Sequence, residues 1–320
     1  MKGRRPFVSC LSRTRKGTAA LLLLAAGCAE GASGTPLAAR AYARAYAPGE
    51  VVRVEVVLDP AAKRPAGEFG KAAMTFVEAA RTETSVTWTA WAVIPLDVAP
   101  GAVSYRVTAT RADGAASSVS RELTIEPKEF PEQRLDVESK FVNPPKAVLA
   151  RIDREKKKLD AIYGRRTPLR PPDAPFVRPV PGEPTSEFGT KRVFNGEPRS
   201  PHPGIDLRAA TGTPVLAAGP GRVALASDLY YSGGTVIIDH GGGLFTIYAH
   251  LSKIEAKEGT EIAEGASVGL SGATGRVTGP HLHWGARVGG SIFDPRALLD
   301  AKLFGAPTSS SSEPAAPVTP

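Results

Sequence analysis

All five histidines of this 320-residue chain lie between positions 202 and 283, and four of them belong to three short motifs. The motifs are His202-Pro-Gly-Ile-Asp206, Tyr248-Ala-His250 and His281-Leu-His283. Alternate residues of an extended strand share one face, so His281 and His283 are expected to point the same way. The clustering predicts a single site, and any fold of this chain then has to bring the three segments together. Three metal ligands with two spare imidazoles are typical of a catalytic zinc centre, which keeps a fourth position for water.

The first motif is predicted to be a strand that leaves a turn. Pro203 and Gly204 make a helical pairing of His202 with Asp206 unfavourable. An extended segment still brings the imidazole and the carboxylate to one side, because the two residues are separated by an even number of positions. The two side chains can therefore belong to one site without a helix.

A β-hairpin is predicted around the second motif. Residues 235–240 and 244–251 form two apolar runs on either side of three consecutive glycines, which is typical of two strands joined by a turn. The hairpin would deliver His250 at the end of its second strand. His240 stands where the first strand meets the turn, and we interpret it as a structural residue.

Further motifs surround these residues in a fixed order. They are Ser186-Glu-Phe-Gly189, Gly204-Ile-Asp-Leu207, Gly212-Thr-Pro-Val215, Ala218-Gly-Pro-Gly221, Ser271-Gly-Ala-Thr-Gly275 and Thr278-Gly-Pro-His-Leu-His-Trp284. Together with the HxxxD and HxH motifs, this set resembles the lysostaphin-like, or LytM, zinc endopeptidases of peptidoglycan. The resemblance covers roughly residues 184 to 300 without a large gap. It implies an antiparallel β-sheet peptidase domain over residues 184–305, with its site in a groove on one face.

The resemblance also implies a role for each of five polar residues. His202, Asp206 and His283 match the zinc ligands of the family, which implies one Zn²⁺ per chain. His250 and His281 match its two catalytic histidines that do not bind the metal. Zinc lowers the pKa of bound water toward about 7, so one imidazole can accept that proton and return it to the leaving amine. The other can donate a hydrogen bond to the oxyanion, and either histidine fits either role.

The residues just before the first motif depart from part of the family. Some members have a tyrosine about six residues before the first ligand histidine, whereas this chain reads Phe194-Asn-Gly-Glu-Pro-Arg199-Ser there. Arg199 instead matches an arginine that other members carry shortly before the motif, and we expect it to contact the substrate. The departure puts the tyrosine-assisted variant and specificity for glycine–glycine bonds in question.

The first 28 residues are predicted to be an export signal. Several basic residues precede the apolar run 18–27, which is too short to span a bilayer. The run ends in Leu24-Ala-Ala-Gly-Cys28, which resembles a bacterial lipobox, where the cysteine is acylated and becomes the mature N-terminus. Simple cleavage at Ala-x-Ala-like residues is the alternative. We therefore expect an exported protein, either a periplasmic or outer-membrane-anchored lipoprotein or a freely secreted one.

Charge and cysteine content narrow the remaining possibilities. The net charge is +8 and the isoelectric point about 9.5, but six of the basic residues lie in the signal. No stripe of alternating basic and aromatic residues occurs, so we expect peptidoglycan rather than a nucleic acid as the partner. Of two cysteines, Cys10 lies in the signal, which leaves no disulfide in the mature chain. The low-complexity tail 306–320 is predicted to be disordered.

The fold class is predicted to be mainly β, with two folded units and a connector. Residues 37–127 contain short strands separated by turns, among them the alternating valines of residues 52–56, and indicate an immunoglobulin-like sandwich. Residues 128–183 form a linker that contains a helix at 144–163, which has one apolar face and many basic residues on the other.

Two alternatives to a peptidoglycan hydrolase use the same fold. One is a non-catalytic wall-binding or amidase-activating protein, and the other is a zinc peptidase that acts on protein substrates. Degenerate members of the resembled family lack one or more ligand or catalytic residues, whereas this chain has all five. The filled positions favour an enzyme.

Overall fold

The computed structural model describes residues 37–111, 114–136, 144–167 and 169–305. The predicted signal with Cys28 and the predicted tail 306–320 lie outside these ranges. Within them the chain is mostly β-structure, and no helix there is long and apolar enough to cross a membrane.

The N-terminal strands form a sandwich of two four-stranded sheets. The strands are β1 (Ala39–Tyr42), β2 (Val51–Leu58), β3 (Ala66–Phe69), β4 (Ala72–Met74), β5 (Val77–Arg81), β6 (Val86–Val93), β7 (Gly101–Thr110) and β8 (Ala116–Ile125). The sheet orders β1-β2-β6-β5 and β4-β3-β7-β8 correspond to the A-B-E-D and C′-C-F-G sheets of immunoglobulin-like domains. Val52, Val54 and Val56 are fully buried between the sheets, as their alternation predicts. The predicted immunoglobulin-like sandwich is confirmed.

The connector contributes a strand as well as the predicted helix. Strand β9 (Glu132–Leu135) runs parallel to a strand of the C-terminal unit, and helix α1 spans Lys146–Tyr163. The C-terminal end of the helix packs Ile162 and its neighbours against an apolar cluster of the large C-terminal sheet, whereas Leu149 near the start of the helix is exposed. Glu155 also accepts a hydrogen bond from the backbone of Tyr230 in that sheet (2.9 Å). The connector is thus an integral part of the C-terminal unit.

The C-terminal unit is built on an eight-stranded sheet. Its strands, with those of two smaller sheets, are β10 (Pro184–Ser186), β11 (Lys191–Phe194), β12 (Glu197–Arg199), β13 (Gly204–Arg208), β14 (Pro214–Leu216), β15 (Gly221–Leu229), β16 (Gly233–Asp239), β17 (Leu244–Leu251), β18 (Lys253–Ile254), β19 (Glu261–Ile262), β20 (Ser267–Leu270), β21 (His281–Val288) and β22 (Ser291–Phe293). Two 3-10 helices, Pro295–Leu299 and Ala301–Phe304, follow. The large sheet has the order β10-β13-β21-β17-β16-β15-β19, with β22 beside β21, and all these pairings are antiparallel. The predicted hairpin is present as β16 and β17.

The sandwich packs directly on the C-terminal unit. Trp91 of β6 meets Phe304 edge to face, with ring centroids 6.3 Å apart. Arg44 pairs with Glu50 (2.6 Å) and with Asp294 (2.8 Å), and both carboxylates are almost fully buried. Each carboxylate also pairs with a second basic residue, so Arg44 belongs to a charge network that links the sandwich to the C-terminal unit.

Candidate metal centre and active groove

The register of three central strands brings the histidine motifs together. Asp206 of β13 lies directly opposite His283 of β21, and Ala249 of β17 lies opposite His283 on its other side. Gly204 permits this close pairing, because a Cβ there would lie 2.3 Å from the carbonyl oxygen of Trp284. Motifs that are distant along the chain therefore become neighbours on one sheet face.

Three side-chain atoms form a compact triangle on this face. His202 Nε2 lies 3.0 Å from Asp206 Oδ1 and 3.0 Å from His283 Nδ1, and the third edge, from His283 Nδ1 to Asp206 Oδ1, is 2.8 Å. Two nitrogens and an oxygen at tetrahedral angles and zinc-like bond lengths would be separated by about 3.3 Å. The donor set and its spacing fit a tetrahedral metal ion with one open position. The three residues form a group that can hold a metal.

The backbone fixes the orientation of His202. Its Nδ1 lies 3.0 Å from the carbonyl oxygen of Glu187 and 3.1 Å from the Ser186 hydroxyl. A carbonyl only accepts, so Nδ1 carries the proton and Nε2 presents its lone pair to the triangle. Burial lowers the pKa of His202 to about 4, which keeps the ring neutral, the form that binds metals.

Asp206 is a carboxylate held in its charged form. Burial alone would raise its pKa, but the neighbouring imidazoles of His202 and His283 outweigh burial and keep the pKa well below its ordinary range. Its second oxygen, Oδ2, lies 3.3 Å from Nη2 of Arg192. The carboxylate is thus ready to serve as an anionic ligand.

His250 reaches the same face through a β-bulge. The register between β16 and β17 shifts by one residue between the pairs Gly234–Leu251 and Val236–Tyr248, and His250 has a left-handed backbone with φ of 65°. Regular alternation would turn His250 toward the core with Tyr248, whereas the bulge turns it into the groove. Its Nδ1 lies 2.8 Å from the Thr274 carbonyl, so in the neutral ring Nε2 is the free acceptor. Burial, followed by the neighbouring histidines, lowers the pKa of His250 to about 3.

His281 lies beside His250 without joining the triangle. The two ring centroids are 4.9 Å apart. His281 Nδ1 lies 2.8 Å from the Gly279 carbonyl, which leaves Nε2 as its free acceptor, 3.6 Å from Asp206 Oδ1. Both histidines outside the triangle therefore carry the proton on Nδ1 and offer Nε2 to a reacting group.

The site opens into a groove of about 470 Å³. Its lining contains Asp206, His250, His281 and His283, together with five polar residues that the sequence motifs did not identify, among them Thr185. The other four are Gln133, Asp136, Arg192 and Arg276. Arg199, the predicted substrate contact, is not among the lining residues; it pairs with Glu197 and lies one strand farther out than Arg192. Its role stays a prediction.

His240 lies apart from the site, and both of its ring nitrogens have hydrogen-bond partners within the core. Its Nδ1 is 2.6 Å from the Pro220 carbonyl and its Nε2 is 2.7 Å from the Thr246 hydroxyl. The ring is 1% exposed. This environment matches the predicted structural role of the fifth histidine.

Known proteins share the histidine-bearing region. A family model described as peptidase family M23 matches residues 200–295. The chain is 46% identical over 101 residues to peptidoglycan DD-endopeptidase ShyA of Vibrio cholerae serotype O1, which covers 31% of this chain and 24% of ShyA. It is 43% identical over 94 residues to DD-carboxypeptidase/endopeptidase Mpg of Neisseria meningitidis serogroup B, which covers 29% of this chain and 22% of Mpg. The matches thus span about a quarter of the length of these curated relatives.

A solved structure is similar over a longer part of the chain. It is a crystal structure of a protein assigned to peptidase M23 from Pseudomonas aeruginosa, with a TM-score of 0.57 and 30% sequence identity. The similarity covers 79% of this chain and 95% of that chain. Because this share is larger than the C-terminal unit, the common architecture extends beyond the region that carries the histidines.

Proposed function

The chain belongs to peptidase family M23, and from this premise we propose that it is a zinc-dependent endopeptidase that hydrolyses peptide bonds in bacterial peptidoglycan stems or cross-links. One observation carries the proposal. Three ligand atoms lie within 2.8–3.0 Å of one another, and two further imidazoles offer Nε2 to the same groove. The similarity to ShyA, a peptidoglycan DD-endopeptidase, supports peptidoglycan as the substrate.

His202 Nε2, Asp206 Oδ1 and His283 Nδ1 would hold the zinc ion. Two neutral imidazoles and one carboxylate are a common donor set of catalytic zinc, and the fourth position stays open. Bound zinc supplies Lewis acidity, which polarises a carbonyl and lowers the pKa of water. The Glu187 carbonyl supports His202 from behind by fixing its tautomer.

His250 and His281 would handle protons and the developing negative charge. Each ring can accept a proton at Nε2, because its Nδ1 already donates to a backbone carbonyl. One ring can take the proton of the attacking water and return it to the leaving amine. The other, once protonated at Nε2, can donate a hydrogen bond to the oxyanion. Their adjacent positions make either division of these tasks feasible.

We further propose that the protein works outside the cytoplasm. Peptidoglycan lies outside the cytoplasmic membrane, and the first 28 residues have the pattern of an export signal. The lipobox-like end of that segment supports acylation of Cys28, which would anchor the protein to a membrane. Secretion without a lipid is the competing outcome.

Zinc content and hydrolysis can be measured on the same samples. Purified protein is analysed for metal and incubated with isolated peptidoglycan, and the products are identified by mass spectrometry. We expect one zinc per chain, cleaved peptide bonds, and loss of both in His202→Ala. His240→Ala is the matched control, because it removes a buried histidine outside the site and should keep zinc. Full zinc occupancy in His202→Ala would contradict the ligand assignment. A zinc-loaded wild type that binds walls of several types without cleaving them would favour a non-catalytic wall-binding or amidase-activating protein.

A further inference from the structure

One turn, formed by residues 186–190, holds His202 by its backbone and by its ring. The backbone nitrogen of His202 donates to the Thr190 carbonyl (2.9 Å), and the carbonyl of His202 accepts from the Gly189 nitrogen (2.9 Å). The ring donates from Nδ1 to the Glu187 carbonyl (3.0 Å), which also accepts from the Thr190 hydroxyl (2.8 Å). The position of this turn therefore determines where the His202 ring lies and which nitrogen it presents to the metal triangle.

Phe188, in the middle of the turn, packs against the sandwich and the connector. The residue is 3% exposed. Its ring meets Phe130 of the connector edge to face, with ring centroids 6.4 Å apart. On the sandwich, a Cβ built on Gly49 would lie 2.5 Å from Cε1 of Phe188 and 3.1 Å from Cδ2 of Leu96, the residue that follows Pro95 after β6. Gly49, Leu96 and Phe130 thus form an apolar cradle around the Phe188 ring.

The same cradle contacts Gly189, whose nitrogen binds the His202 carbonyl. A Cβ built on Gly189 would lie 2.3 Å from Cδ1 of Phe130 and 3.2 Å from Cδ2 of Leu96. All these residues except the two glycines belong to, or pack on, one apolar cluster that includes residues of both folded units. The cradle therefore contacts the turn at two consecutive residues, directly after the residue whose carbonyl binds the His202 ring.

A chain of ion pairs also links the sandwich to the turn. Arg44 pairs with Asp294 (2.8 Å), and Asp294 pairs with Arg296 (2.8 Å). Arg296 in turn pairs with the Glu187 carboxylate (2.6 Å). Because the side chains of this last pair are 34% and 46% exposed, the pair contributes little by itself. The packing of Phe188 is the stronger connection, since removal of a buried aromatic ring costs far more than loss of an exposed ion pair.

We propose that the immunoglobulin-like sandwich is a positioning element of the metal centre, because its side of the cradle holds the turn that orients His202. When the cradle is loosened, the Glu187 carbonyl is free to move away from Nδ1. A ligand imidazole without this hydrogen bond can rotate and change tautomer, so its affinity for a metal falls. The inference rests on the proposed zinc site and is independent of peptide hydrolysis.

Zinc affinity of full-chain variants, measured by competition with a chelator, tests this inference. Leu96→Ala removes a sandwich side chain that is more than one hundred residues from the ligand in the chain. It should weaken zinc binding by about tenfold, the lower end of the loss seen when a partner of a metal ligand is removed. Phe188→Ala should weaken binding by up to about a hundredfold, and Phe188→Leu, which keeps an apolar side chain in the cradle, should restore part of it. Wild-type zinc affinity in Leu96→Ala would overturn the inference.

Phe304→Ala is the matched control variant. Phe304 also packs at the interface between the sandwich and the C-terminal unit, edge to face with Trp91 at 6.3 Å, and it stacks with Phe176 at 6.5 Å. Its loss should lower the unfolding temperature and leave zinc affinity unchanged, because neither ring that it contacts belongs to the turn or the cradle. Equal weakening of zinc binding in Phe304→Ala and Leu96→Ala would indicate general loosening of the interface and would overturn the positioning role.

Imidazole NMR of the metal-free proteins requires neither zinc nor turnover. The proton on His202 Nδ1 should be protected from exchange in the wild type and in Phe304→Ala by its bond to the Glu187 carbonyl. In Leu96→Ala it should exchange at least about tenfold faster, because the turn opens locally more often. An unchanged exchange rate would contradict the proposal.

The two readouts separate this inference from the proposed function. If the wild type cleaves no peptidoglycan, or binds no zinc, but Leu96→Ala still exposes the His202 proton, the positioning role stands and the proposed function fails. If the wild type binds zinc and cleaves peptidoglycan while Leu96→Ala changes neither readout, the function stands and the positioning role fails. Unfolding temperatures identify any variant that does not fold, and Phe188→Leu carries the same comparison if Leu96→Ala is among them.

Discussion

Replacing His240 with glutamine should change how the stability of the protein depends on pH. The His240 ring is buried, and its two nitrogens are occupied by the Pro220 carbonyl and the Thr246 hydroxyl. Protonation would place a charge in this environment and would turn Nε2 from an acceptor into a donor. Burial accordingly lowers the pKa of His240 from 6.5 to about 4.

The direction and size of the effect follow from proton linkage. In the unfolded chain His240 binds a proton as the pH falls through about 6.5, whereas in the folded chain it resists protonation until about pH 4. The contribution of the neutral ring to the free energy of unfolding is therefore fully present above pH 6.5 and is lost progressively as the pH falls toward 4. At pH 5 the two pKa values correspond to a loss of about 2 kcal/mol, since each pKa unit is worth about 1.4 kcal/mol.

Urea unfolding of the metal-free wild type and His240→Gln at pH 7.5 and pH 5 measures this loss. Glutamine keeps a donor and an acceptor but does not titrate, and the other titrating groups are common to both proteins. The stability difference between them should shift by about 2 kcal/mol in favour of the variant on going to pH 5. Parallel pH profiles, with a shift below about 0.5 kcal/mol, would refute the buried neutral histidine.

Further substitutions at four positions test the site and the anchor. His250→Ala and His281→Ala should each keep zinc and lose at least about a hundredfold in hydrolysis rate, and near-wild-type rates would refute the roles assigned. Thr274→Val removes the hydroxyl that bonds Gly234 and Leu251, so kcat should fall by up to about a hundredfold with little change in KM, and Thr274→Ser should restore it. Cys28→Ser should release the protein from membranes or block its processing, and an intact mass without acylation in the wild type would indicate plain secretion.

Most residues of the candidate site could be predicted from the sequence, because they lie in short motifs with a characteristic spacing. The hairpin and the valine alternation in β2 were predictable for the same reason. Strand β9 could not be predicted, because Glu132–Leu135 is short and mostly polar. It pairs with β11, which follows it in the chain by more than fifty residues. The sequence motifs therefore did not identify Gln133 and Asp136 as groove residues.

The position of a strand within its sheet could not be predicted from the sequence either. Strand periodicity predicts which face a residue occupies, and Arg199 does share a face with Arg192. The groove lining, however, includes the inner strand and not the outer one. The two arginines differ in which strand they occupy. In the order β12-β11-β9, Arg199 lies on the edge strand β12 and Arg192 lies on the central strand β11. A motif that identifies the correct residue type can thus point one strand away from the residue that lines the groove.

Strand periodicity does not predict the orientation of His250, which depends on a β-bulge that tertiary contacts stabilise. A left-handed backbone at a non-glycine residue costs on the order of 1–3 kcal/mol and persists only where the surroundings determine it. Here the backbone nitrogen of His250 donates to the Ser232 carbonyl (2.9 Å), and its ring donates to the Thr274 carbonyl (2.8 Å). Gly233 leaves room for Thr274, because a Cβ there would lie 2.2 Å from its hydroxyl oxygen. The bulge is therefore stabilised by the loop between β20 and β21, so the position of this histidine in the groove depends on the conformation of that loop.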